Sequence, residues 1–324
     1  MANDKPTILV TRRLPEPVEA RLVRDFDARL NPTDDVFGTD ALIAAAAEID
    51  ADGLLMCPTE RFTADVIERL PARVQIAASY SVGVDHVDLK AAAKRGLVIT
   101  NTPDVLTDAT AEVAMLLMLG AARRAHEGEK LVRSAAWKSW APTFMLGTQL
   151  TGKRLGIVGM GGIGRAVATR ARAFGMTVHY HNRTRLSTEL EDGATYHATL
   201  DGLLPEAEFL SLHCPATPET HHLLNAETIA RLPDGAIVVN TSRGAVVDDE
   251  ALIAALRSGK VLAAGLDVFE GEPNVNPAYR DLPNTFLMPH IGSATVETRA
   301  AMGMRAVDNL EAWFATEKPR DRVA

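Results

Sequence analysis

Cysteine is scarce in this sequence. Its 324 residues include only Cys57 and Cys214, which are far apart and form no CxxC motif. This excludes a disulfide framework and a zinc site built from cysteines, because both need several cysteines at defined spacing. Such cysteine usage is typical of a reducing compartment, and we expect the protein to be cytoplasmic.

Long apolar runs are also missing. The most apolar segment, Val113–Ala122, has ten residues between Glu112 and Arg123, whereas a membrane-spanning helix needs about 20. The residues before Arg12 lack the apolar stretch of a secretory signal and instead predict a first strand at Thr7–Val10. We therefore expect a buried helix at Val113–Ala122 and no membrane partner.

Positive charge is not in excess. The sequence has 34 Lys and Arg residues against 42 Asp and Glu residues, a formal net charge of −8, and the charges are interspersed. Such a surface repels a phosphate backbone, so we expect no nucleic-acid partner. Since 47% of the residues are hydrophobic and the chain is long enough for two ordinary domains, we expect a large packed core.

Short apolar runs alternate along the chain with alanine-rich stretches of helical period, which is typical of parallel α/β sheets. The runs form two groups, and we predict two separate sheets. The predicted strands are Thr7–Val10, Gly53–Met56, Val74–Ala78 and Leu97–Thr100 in the first group, and Leu155–Val158, Thr177–Tyr180, Phe209–Leu212, Ala236–Val239 and Leu262–Leu266 in the second.

Two long helices bear on the domain organisation. One, predicted at Leu106–Arg124, joins the two groups of strands, and the other, at Thr295–Trp313, follows the last of them. The C-terminal segment is too small for a domain of its own, so we expect it to pack on the N-terminal domain. That domain would comprise residues 1–101 and 290–324, with a nucleotide-binding type of domain inserted at 102–289.

Three glycines have the spacing G-x-G-x-x-G. Gly159, Gly161 and Gly164 follow the predicted strand Leu155–Val158 directly and open a helical pattern. In this setting the first glycine permits a tight turn, the second admits a pyrophosphate, and the third lets the helix pack on the strand. The motif therefore predicts dinucleotide binding at a helix N-terminus, although the same spacing alone also occurs in plain glycine-rich turns.

The residues after the strand Thr177–Tyr180 bear on which dinucleotide is bound. An NAD enzyme places an acidic residue there to hold the ribose hydroxyls, but this chain has Asn182, Arg183 and Arg185. The two arginines could instead hold a 2′-phosphate through charge-assisted hydrogen bonds. We predict that NADP(H) is preferred and NAD(H) possible; the alternative is that both arginines are solvated turn residues.

Three polar residues come after strands of the second group. Arg243 follows Ala236–Val239, Glu272 follows Leu262–Leu266, and His290 lies in a Pro-His turn further on. Ligands of open α/β sheets bind at the carboxyl ends of the strands, where these residues would supply a cation, a carboxylate and a proton carrier. Any one of them alone could be structural, but together they indicate a catalytic site.

With these motifs in this order, the sequence resembles the D-isomer-specific 2-hydroxyacid dehydrogenases, most closely their glyoxylate/hydroxypyruvate reductase branch. The matching segments are Ser81–Asp85, Gly159–Gly164, Asn240–Gly244, Gly265–Pro273 and Pro289–Thr295. The resemblance covers nearly the whole chain and implies NAD(P)H-dependent reduction of a small 2-oxoacid to the D-2-hydroxyacid. It also implies two doubly wound α/β domains with parallel sheets, a Rossmann dinucleotide-binding domain inserted in a discontinuous, flavodoxin-like substrate domain.

The three polar residues suit that reaction. Arg243 can hold the planar carboxylate of a 2-oxoacid in its guanidinium fork and polarise the ketone oxygen. Protonated His290 can give a proton to the alkoxide that forms as hydride arrives, and Glu272 would orient the imidazole and stabilise its charged form. The resemblance implies the same three roles.

The resemblance implies further contacts. Val82 and Gly83 resemble a loop whose backbone amides bind the substrate carboxylate, and Asp267 resembles a residue that binds the nicotinamide carboxamide. Trp140 is similar to a tryptophan that reaches the active site of the partner subunit, which implies a homodimer. Contacts with the cofactor are also implied for Thr110, Gly162, Ile163, Cys214, Pro215, Thr241 and His290.

Other interpretations remain. In the sequence, His179, His181, His221 and His222 have no carboxylate or third ligand at metal spacing, so we expect them to be structural and predict no metal. The same scaffold could oxidise formate or phosphite, although formate oxidation needs no proton donor. A non-catalytic, nucleotide-sensing scaffold of the corepressor type would also keep these motifs.

Overall fold

The computed structural model describes residues 5–324, and the chain divides into two compact units. The terminal unit comprises the residues up to Leu106 together with Ser293–Ala324, and the central unit is Thr107–Gly292. The divisions drawn from the sequence, after residues 101 and 289, lie a few residues earlier. The second one differs because the backbone N–H groups of residues 290–292 donate to Asp267, which ties them to the central unit.

The terminal unit begins with five strands and four helices. These are β1 (Thr7–Val10), α1 (Glu16–Asp25), β2 (Asp27–Arg29), α2 (Thr39–Glu48), β3 (Gly53–Met56), α3 (Ala64–Arg69), β4 (Ile76–Ser79), α4 (Leu89–Arg95) and β5 (Val98–Thr100). The strands pair in parallel in the order β2-β1-β3-β4-β5, the doubly wound order of flavodoxin-like sheets. The sequence analysis missed β2, because this edge strand has only three residues and no apolar pattern.

The central unit contains the second sheet. Its elements are α5 (Thr107–Ala122), α6 (Ala125–Arg133), β6 (Arg154–Val158), α7 (Gly162–Ala173), β7 (Thr177–His181), α8 (Thr188–Glu191), β8 (Thr195–His197), α9 (Leu200–Leu203), β9 (Phe209–Leu212), α10 (Ala226–Ala230), β10 (Ala236–Asn240), α11 (Asp249–Ser258), β11 (Val261–Leu266), α12 (Ala278–Asp281) and β12 (Thr285–Leu287). The parallel order is β12-β11-β10-β9-β6-β7-β8, in which β6 to β11 reproduce the Rossmann arrangement and β12 extends one edge.

Two edge strands of the central sheet differ from the sequence-based expectation. The segment Pro283–Pro289, between the last predicted strand and the last predicted helix, contains β12, which pairs with β11 from Ala264 and Thr285 onwards. The opposite edge strand, β8, was not predicted. Both strands have three residues, too few for an alternating apolar pattern to be visible.

The last helix, α13 (Val296–Thr316), completes the terminal unit. Its residues Met302, Ala306 and Leu310 are buried in one cluster with Val18 and Leu22 of α1. The chain after α13 is held by Asp321, whose carboxylate accepts hydrogen bonds from Arg305 and Asn309. The C-terminal segment therefore packs on the N-terminal sheet, as the sequence predicts.

The apolar segment Val113–Ala122 lies in α5 of the central unit. Ala111, Ala114, Leu117 and Met118 of this helix are buried, in one cluster with side chains of β6 and α7. Among residues 5–324, no helix combines the length and the apolar character needed to cross a membrane. The segment is thus a core helix, as expected.

Candidate active site

The glycine motif forms the turn between β6 and α7. Gly159 has a φ of +94°, and a Cβ there would come within 2.7 Å of the backbone of His213 and Cys214. A Cβ on Gly164 would overlap with the carbonyl oxygen of Gly159, so glycine at this position lets α7 start close to β6. Both positions therefore require glycine for the reasons that the motif predicts.

Gly161 precedes α7 and faces open space. A Cβ on Gly161 would have no neighbour within 4 Å. Gly161 lies next to the N–H donors that the N-terminus of α7 presents from Gly162 onwards. Behind this turn, the Asn182 side chain accepts a hydrogen bond from the Met160 N–H at 2.7 Å, and Ile163 packs against the core. A dinucleotide pyrophosphate fits this arrangement, because it needs backbone donors, a clear approach and the positive end of a helix.

Arg185, a predicted phosphate ligand, has a protein partner instead. It donates from Nε and Nη2 to the two carboxylate oxygens of Glu191, at 2.8 and 3.1 Å. These hydrogen bonds, with another from Tyr180 Oη, lower the pKa of the buried Glu191. The guanidinium fork of Arg185 is therefore engaged by a carboxylate. Glu191 lies six residues after Arg185, at the end of α8, and was not predicted to be its partner.

Arg183 has different surroundings. Arg183 is exposed. The pKa of Glu219 is lowered mainly by a hydrogen bond from Thr217, and the nearby charge of Arg183 adds a small lowering effect. Glu219 belongs to the loop after β9, so this loop lies near the end of β7 where Arg183 is found. Of the two predicted arginines, Arg185 is the one held by a carboxylate.

Asn240, the last residue of β10, shapes the turn that carries Arg243. Its Oδ1 accepts hydrogen bonds from the N–H and Oγ of Ser242 at 2.9 and 2.8 Å, and its Nδ2 donates to the Arg243 carbonyl oxygen at 3.0 Å. Asn240 is buried, whereas Arg243 is partly exposed. The sequence analysis gave Asn240 no role. The sequence signal for such a role is an asparagine directly after the apolar run Ala236–Val239, because a side-chain amide can both donate to and accept from the backbone of the following turn.

Gly244 brings together the segments that carry Arg243 and Glu272. A Cβ on this residue would overlap with the carbonyl group of Phe269 and the backbone nitrogen of Glu270. The turn after β10 therefore packs directly on the backbone after β11. Only glycine allows this approach, which places the Arg243 turn beside the segment that leads to Glu272.

Glu272 and His290 form a hydrogen-bonded pair. The Nδ1 atom of His290 lies 2.7 Å from Oε2 of Glu272, and Oε1 of Glu272 accepts the Phe269 N–H at 2.8 Å. Burial acts to raise the pKa of Glu272, but these hydrogen bonds and the charges of His290 and Arg243 outweigh it, so the pKa is lowered. A carboxylate that stays ionised is therefore available to orient the imidazole and balance its charge.

Asp267 anchors the segment that carries His290. Its carboxylate oxygens accept the N–H groups of Ile291 and Gly292 at 2.7 and 2.8 Å, and its carbonyl oxygen accepts the N–H of His290 at 2.8 Å. Burial raises the pKa of Asp267, although the two backbone hydrogen bonds act against this. A Cβ on Gly292 would lie 3.3 Å from Cγ2 of Thr110, so α5 also meets this segment.

The segment after β9 supplies two groups that are neutral at pH 7. The His213 ring lies 2.8 Å from Ser211 Oγ and 3.2 Å from Thr241 Oγ1, and burial lowers its pKa to about 4. Burial raises the pKa of the next residue, Cys214, to about 11, so its thiol is not a nucleophile at neutral pH. Pro215, which follows, is exposed. The sequence analysis did not identify His213.

The predicted substrate loop belongs to the terminal unit. It follows β4, and the Val82 carbonyl oxygen accepts a hydrogen bond from Asn101 Nδ2 at 2.9 Å. The Gly83 carbonyl oxygen accepts one from Ser81 Oγ at 2.6 Å, and Ser81 Oγ lies 2.7 Å from Ser79 Oγ. The carbonyl groups of the loop are thus held within the unit.

Trp140 lies in an exposed part of the central unit, between α6 and β6. Its surface is 76% exposed, and further exposed apolar side chains in this region are Val132, Trp137, Phe144 and Leu146. Monomeric proteins rarely expose a cluster of large apolar side chains without a binding role.

The histidines differ from the sequence-based expectation in one respect. His179 and His197 stack, with Nδ1 and Nε2 3.0 Å apart. The pair His221 and His222, however, does have a carboxylate beside it: Nε2 of His222 lies 3.0 Å from Oε1 of Glu270. The sequence analysis missed this residue because Glu270 is 48 positions further along the chain, after β11.

Comparisons with known proteins identify the family to which the chain belongs. The sequence pattern of the D-isomer specific 2-hydroxyacid dehydrogenases, NAD binding domain, matches residues 115–292. The chain is 46% identical to a glycerate dehydrogenase of Hyphomicrobium methylovorum over 96% of either chain. It is 42% identical to a glyoxylate reductase of Thermococcus litoralis over 98% of this chain and 97% of that one.

A solved structure is similar along almost the whole chain. It is an NADPH-dependent glyoxylate/hydroxypyruvate reductase of Sinorhizobium meliloti, in complex with NADP and malonate. The TM-score is 0.87 at 36% sequence identity, with 99% of this chain and 97% of the other covered. The chain therefore belongs to the D-isomer-specific 2-hydroxyacid dehydrogenase family, in its glyoxylate reductase branch, and catalyses the nicotinamide-dependent reduction of 2-oxoacids.

Proposed function

We propose that the protein reduces glyoxylate or hydroxypyruvate, giving glycolate or D-glycerate, and that it prefers NADPH. The observation that carries the proposal is the 2.7 Å contact between His290 Nδ1 and Glu272 Oε2, at the sheet edge where Arg243 also lies. Similarity to a glycerate dehydrogenase and to glyoxylate reductases supports a small substrate.

Arg243 is the proposed carboxylate ligand. Its guanidinium presents donors in a planar fork that matches a carboxylate, and the charge also draws electron density towards the neighbouring ketone oxygen. The hydrogen bonds that Asn240 donates and accepts hold the backbone of this turn, and Arg243 Nη1 donates to the Ser242 carbonyl oxygen at 2.7 Å, so the cation is positioned before substrate arrives. Such preorganisation lowers the cost of orienting the ketone for hydride attack.

His290 is the proposed acid and base. A carboxylate accepts hydrogen bonds, so Nδ1 carries a proton in its bond to Glu272, and Nε2 is the nitrogen directed to substrate. Nε2 then donates its proton to the ketone oxygen as that oxygen gains negative charge, and removes it in the reverse reaction. The half-exposed ring can recover the proton from solvent. Asp267 acts as a positioning residue through the backbone that carries His290.

A nicotinamide cofactor, when bound, would supply the hydride. The residues that would hold it are Gly159, Gly161, Gly162, Ile163 and Gly164 around the pyrophosphate, with Asn182 and Arg183 at the ribose end. Arg183, rather than Arg185, is the proposed ligand of a 2′-phosphate, because Glu191 engages Arg185. Thr110, Cys214, Pro215, Thr241 and Asp267 remain proposed contacts from the resemblance, and both oxygens of Asp267 already accept backbone hydrogen bonds.

The terminal unit is proposed to be the substrate domain, with the N–H groups of Val82 and Gly83 as ligands of the substrate carboxylate. The Val82 and Gly83 carbonyl groups are already held by Asn101 and Ser81, which fixes the loop for such a role. The protein is proposed to be a homodimer in which Trp140 reaches the partner's active site. The exposed apolar side chains around Trp140 support this assembly.

The substrate assignment is tested by oxidation of NADPH and NADH with glyoxylate, hydroxypyruvate, pyruvate and phenylpyruvate, followed at the absorbance of the reduced nicotinamide. We expect the highest kcat/KM for NADPH with glyoxylate or hydroxypyruvate. A higher value with phenylpyruvate would contradict the proposed small substrate, and a higher value with NADH would contradict the proposed cofactor preference alone.

A further inference from the structure

A second cluster of chemically active side chains lies near, but apart from, the catalytic pair. His221 and His222 belong to the loop after β9, and Glu270 follows β11. Because β9, β10 and β11 are adjacent and parallel, the segments after all three emerge at the same edge of the central sheet. The fold thereby joins residues that are 48 positions apart.

The side chains of this cluster converge. One donor atom from each of His221, His222 and Glu270 can be chosen so that all three lie within 4.8 Å of one another. The two imidazole rings stack with centroids 4.0 Å apart, and Nε2 of His222 is 3.0 Å from Oε1 of Glu270. Ligands of a tetrahedral zinc ion, bound at about 2.1 Å, are about 3.4 Å apart, so the three donor atoms would draw closer and the two rings would turn out of their stacked arrangement when an ion binds.

The backbone beneath the cluster is fixed on both sides. The His222 N–H donates to the Ala245 carbonyl oxygen at 2.8 Å, and the Leu224 N–H donates to that of Val246 at 3.0 Å. The backbone at Glu270 packs against Gly244. The short turn after Arg243 therefore holds both the segment with His221 and His222 and the segment with Glu270. The backbone of these residues would need little further ordering when an ion binds.

We propose that His221, His222 and Glu270 form a binding site for a divalent transition-metal ion of the zinc type. Two imidazoles and one carboxylate are donors that zinc prefers, whereas Mg²⁺ and Ca²⁺ prefer oxygen ligands. His221 is exposed and the other two are partly exposed, so a water molecule can take the fourth position.

This site is distinct from the proposed acid–base pair. Glu272 directs its two oxygens to His290 and to the Phe269 N–H, and Glu270 directs Oε1 to His222. The alternative is that His222 and Glu270 form only an ion pair, with His221 stacked on it. That alternative predicts no role for His221 in metal binding, which makes His221 the most informative position.

The test is a titration of chelator-treated, untagged full-length protein with ZnCl₂, followed by calorimetry and by competition with a chromophoric chelator. We expect one equivalent to bind. The variants His221→Ala, His222→Ala and Glu270→Gln should each weaken binding at least about ten-fold. His126→Ala, which removes an exposed histidine outside the cluster, should bind as the parent does. MgCl₂ should produce no comparable heat.

Circular dichroism of each variant separates loss of the site from loss of the fold. The proposal is overturned if the parent protein binds no zinc, or if His221→Ala, folded as the parent, keeps the parent affinity. Co²⁺ gives an independent measurement, because an ion held by these three side chains and water should show the visible absorption of tetrahedral cobalt, which the Glu270→Gln variant should lose. These measurements do not depend on substrate turnover, so they stand apart from the proposed reductase activity.

Discussion

At the scale of single residues, the site depends on which partner engages each charged group. Glu272 uses one oxygen for His290 and the other for the Phe269 N–H, so its orientation is fixed from both sides. Arg243 lies in a turn shaped by the buried Asn240. The proposed catalytic residues could be placed after strands from the sequence, but these supporting contacts could not be predicted, because they depend on the folded turn.

Arg183 and Arg185 are another case in which the sequence could not predict which partner each side chain has. The sequence makes them equivalent candidates for a 2′-phosphate, whereas the structure pairs Arg185 with the buried Glu191. Similarly, Glu270 is invisible as a neighbour of His222 in the sequence, since 48 residues separate them. Pairings between distant segments are decided by strand order, which local patterns do not contain.

The cofactor preference yields a prediction for two variants. Arg183→Ala should lower kcat/KM with NADPH, relative to that with NADH, by about ten- to a hundred-fold, because a hydrogen bond to a charged group contributes about 1.5–3 kcal/mol. Arg185→Ala is the matched control and should change the ratio much less, since its guanidinium is bound to Glu191. Initial rates with both cofactors provide the measurement. A larger effect at Arg185 than at Arg183 would contradict the assignment.

At the scale of secondary-structure elements, strands with apolar runs could be predicted closely. The sequence-based bounds of β1, β3 and β9 agree with the structure, since each is a four-residue run of buried side chains or nearly so. The edge strands β2, β8 and β12 could not be predicted, because they have three residues each and are defined by backbone pairing with a neighbour. The helix α13 was predicted from its apolar spacing.

The attachment of α13 predicts a pH-dependent contribution to stability. Burial acts to raise the pKa of Asp321, but hydrogen bonds from Arg305 and Asn309 outweigh it, and the pKa is lowered in the folded state. A lowered pKa gives stability that is present above the unfolded pKa, about 3.9, and is lost as the pH falls through the folded value. Asp321→Asn should cost about 1–3 kcal/mol at pH 7.

Urea unfolding of the Asp321→Asn variant at pH 7 and at successively lower pH provides the measurement. The difference from the parent protein should shrink below about pH 4, as the parent carboxylate takes up a proton. Asp65→Asn is the control, because its ion pair with Arg69 is exposed and should contribute much less to stability. A difference that stays constant down to the acid limit would argue against the ionised carboxylate as the source of the stability.

At the scale of the whole molecule, the exposed apolar region around Trp140 predicts self-association. Sedimentation velocity should show a dimer of the 34.8 kDa chain. Trp140→Asp should shift the equilibrium towards monomer, because it places a charge in the proposed interface. Val296→Asp, which changes a similarly exposed apolar residue on α13, should leave the dimer intact. A monomeric parent protein would refute the proposed assembly.

The two sheets could be predicted from the alternation of apolar strands, and the return of the C-terminal helix from the small size of that segment, whereas the Rossmann type of the inserted unit was implied by the resemblance. The positions of the unit boundaries could not be predicted. The sequence-based boundary assigns His290 to the substrate domain, whereas the hydrogen bonds from the N–H groups of His290, Ile291 and Gly292 to Asp267 tie it to the central unit with Arg243 and Glu272. This placement puts all three proposed catalytic residues in one compact unit.

The central claim is that His290 carries the proton in the reduction of a 2-oxoacid. The most direct test compares NADPH oxidation by glyoxylate in the parent and His290→Ala proteins, with NADPH affinity measured in parallel by fluorescence. We expect kcat to fall by about 10²- to 10⁴-fold while the affinity for NADPH changes little. A His290→Ala protein that reduces glyoxylate at the parent rate would contradict it.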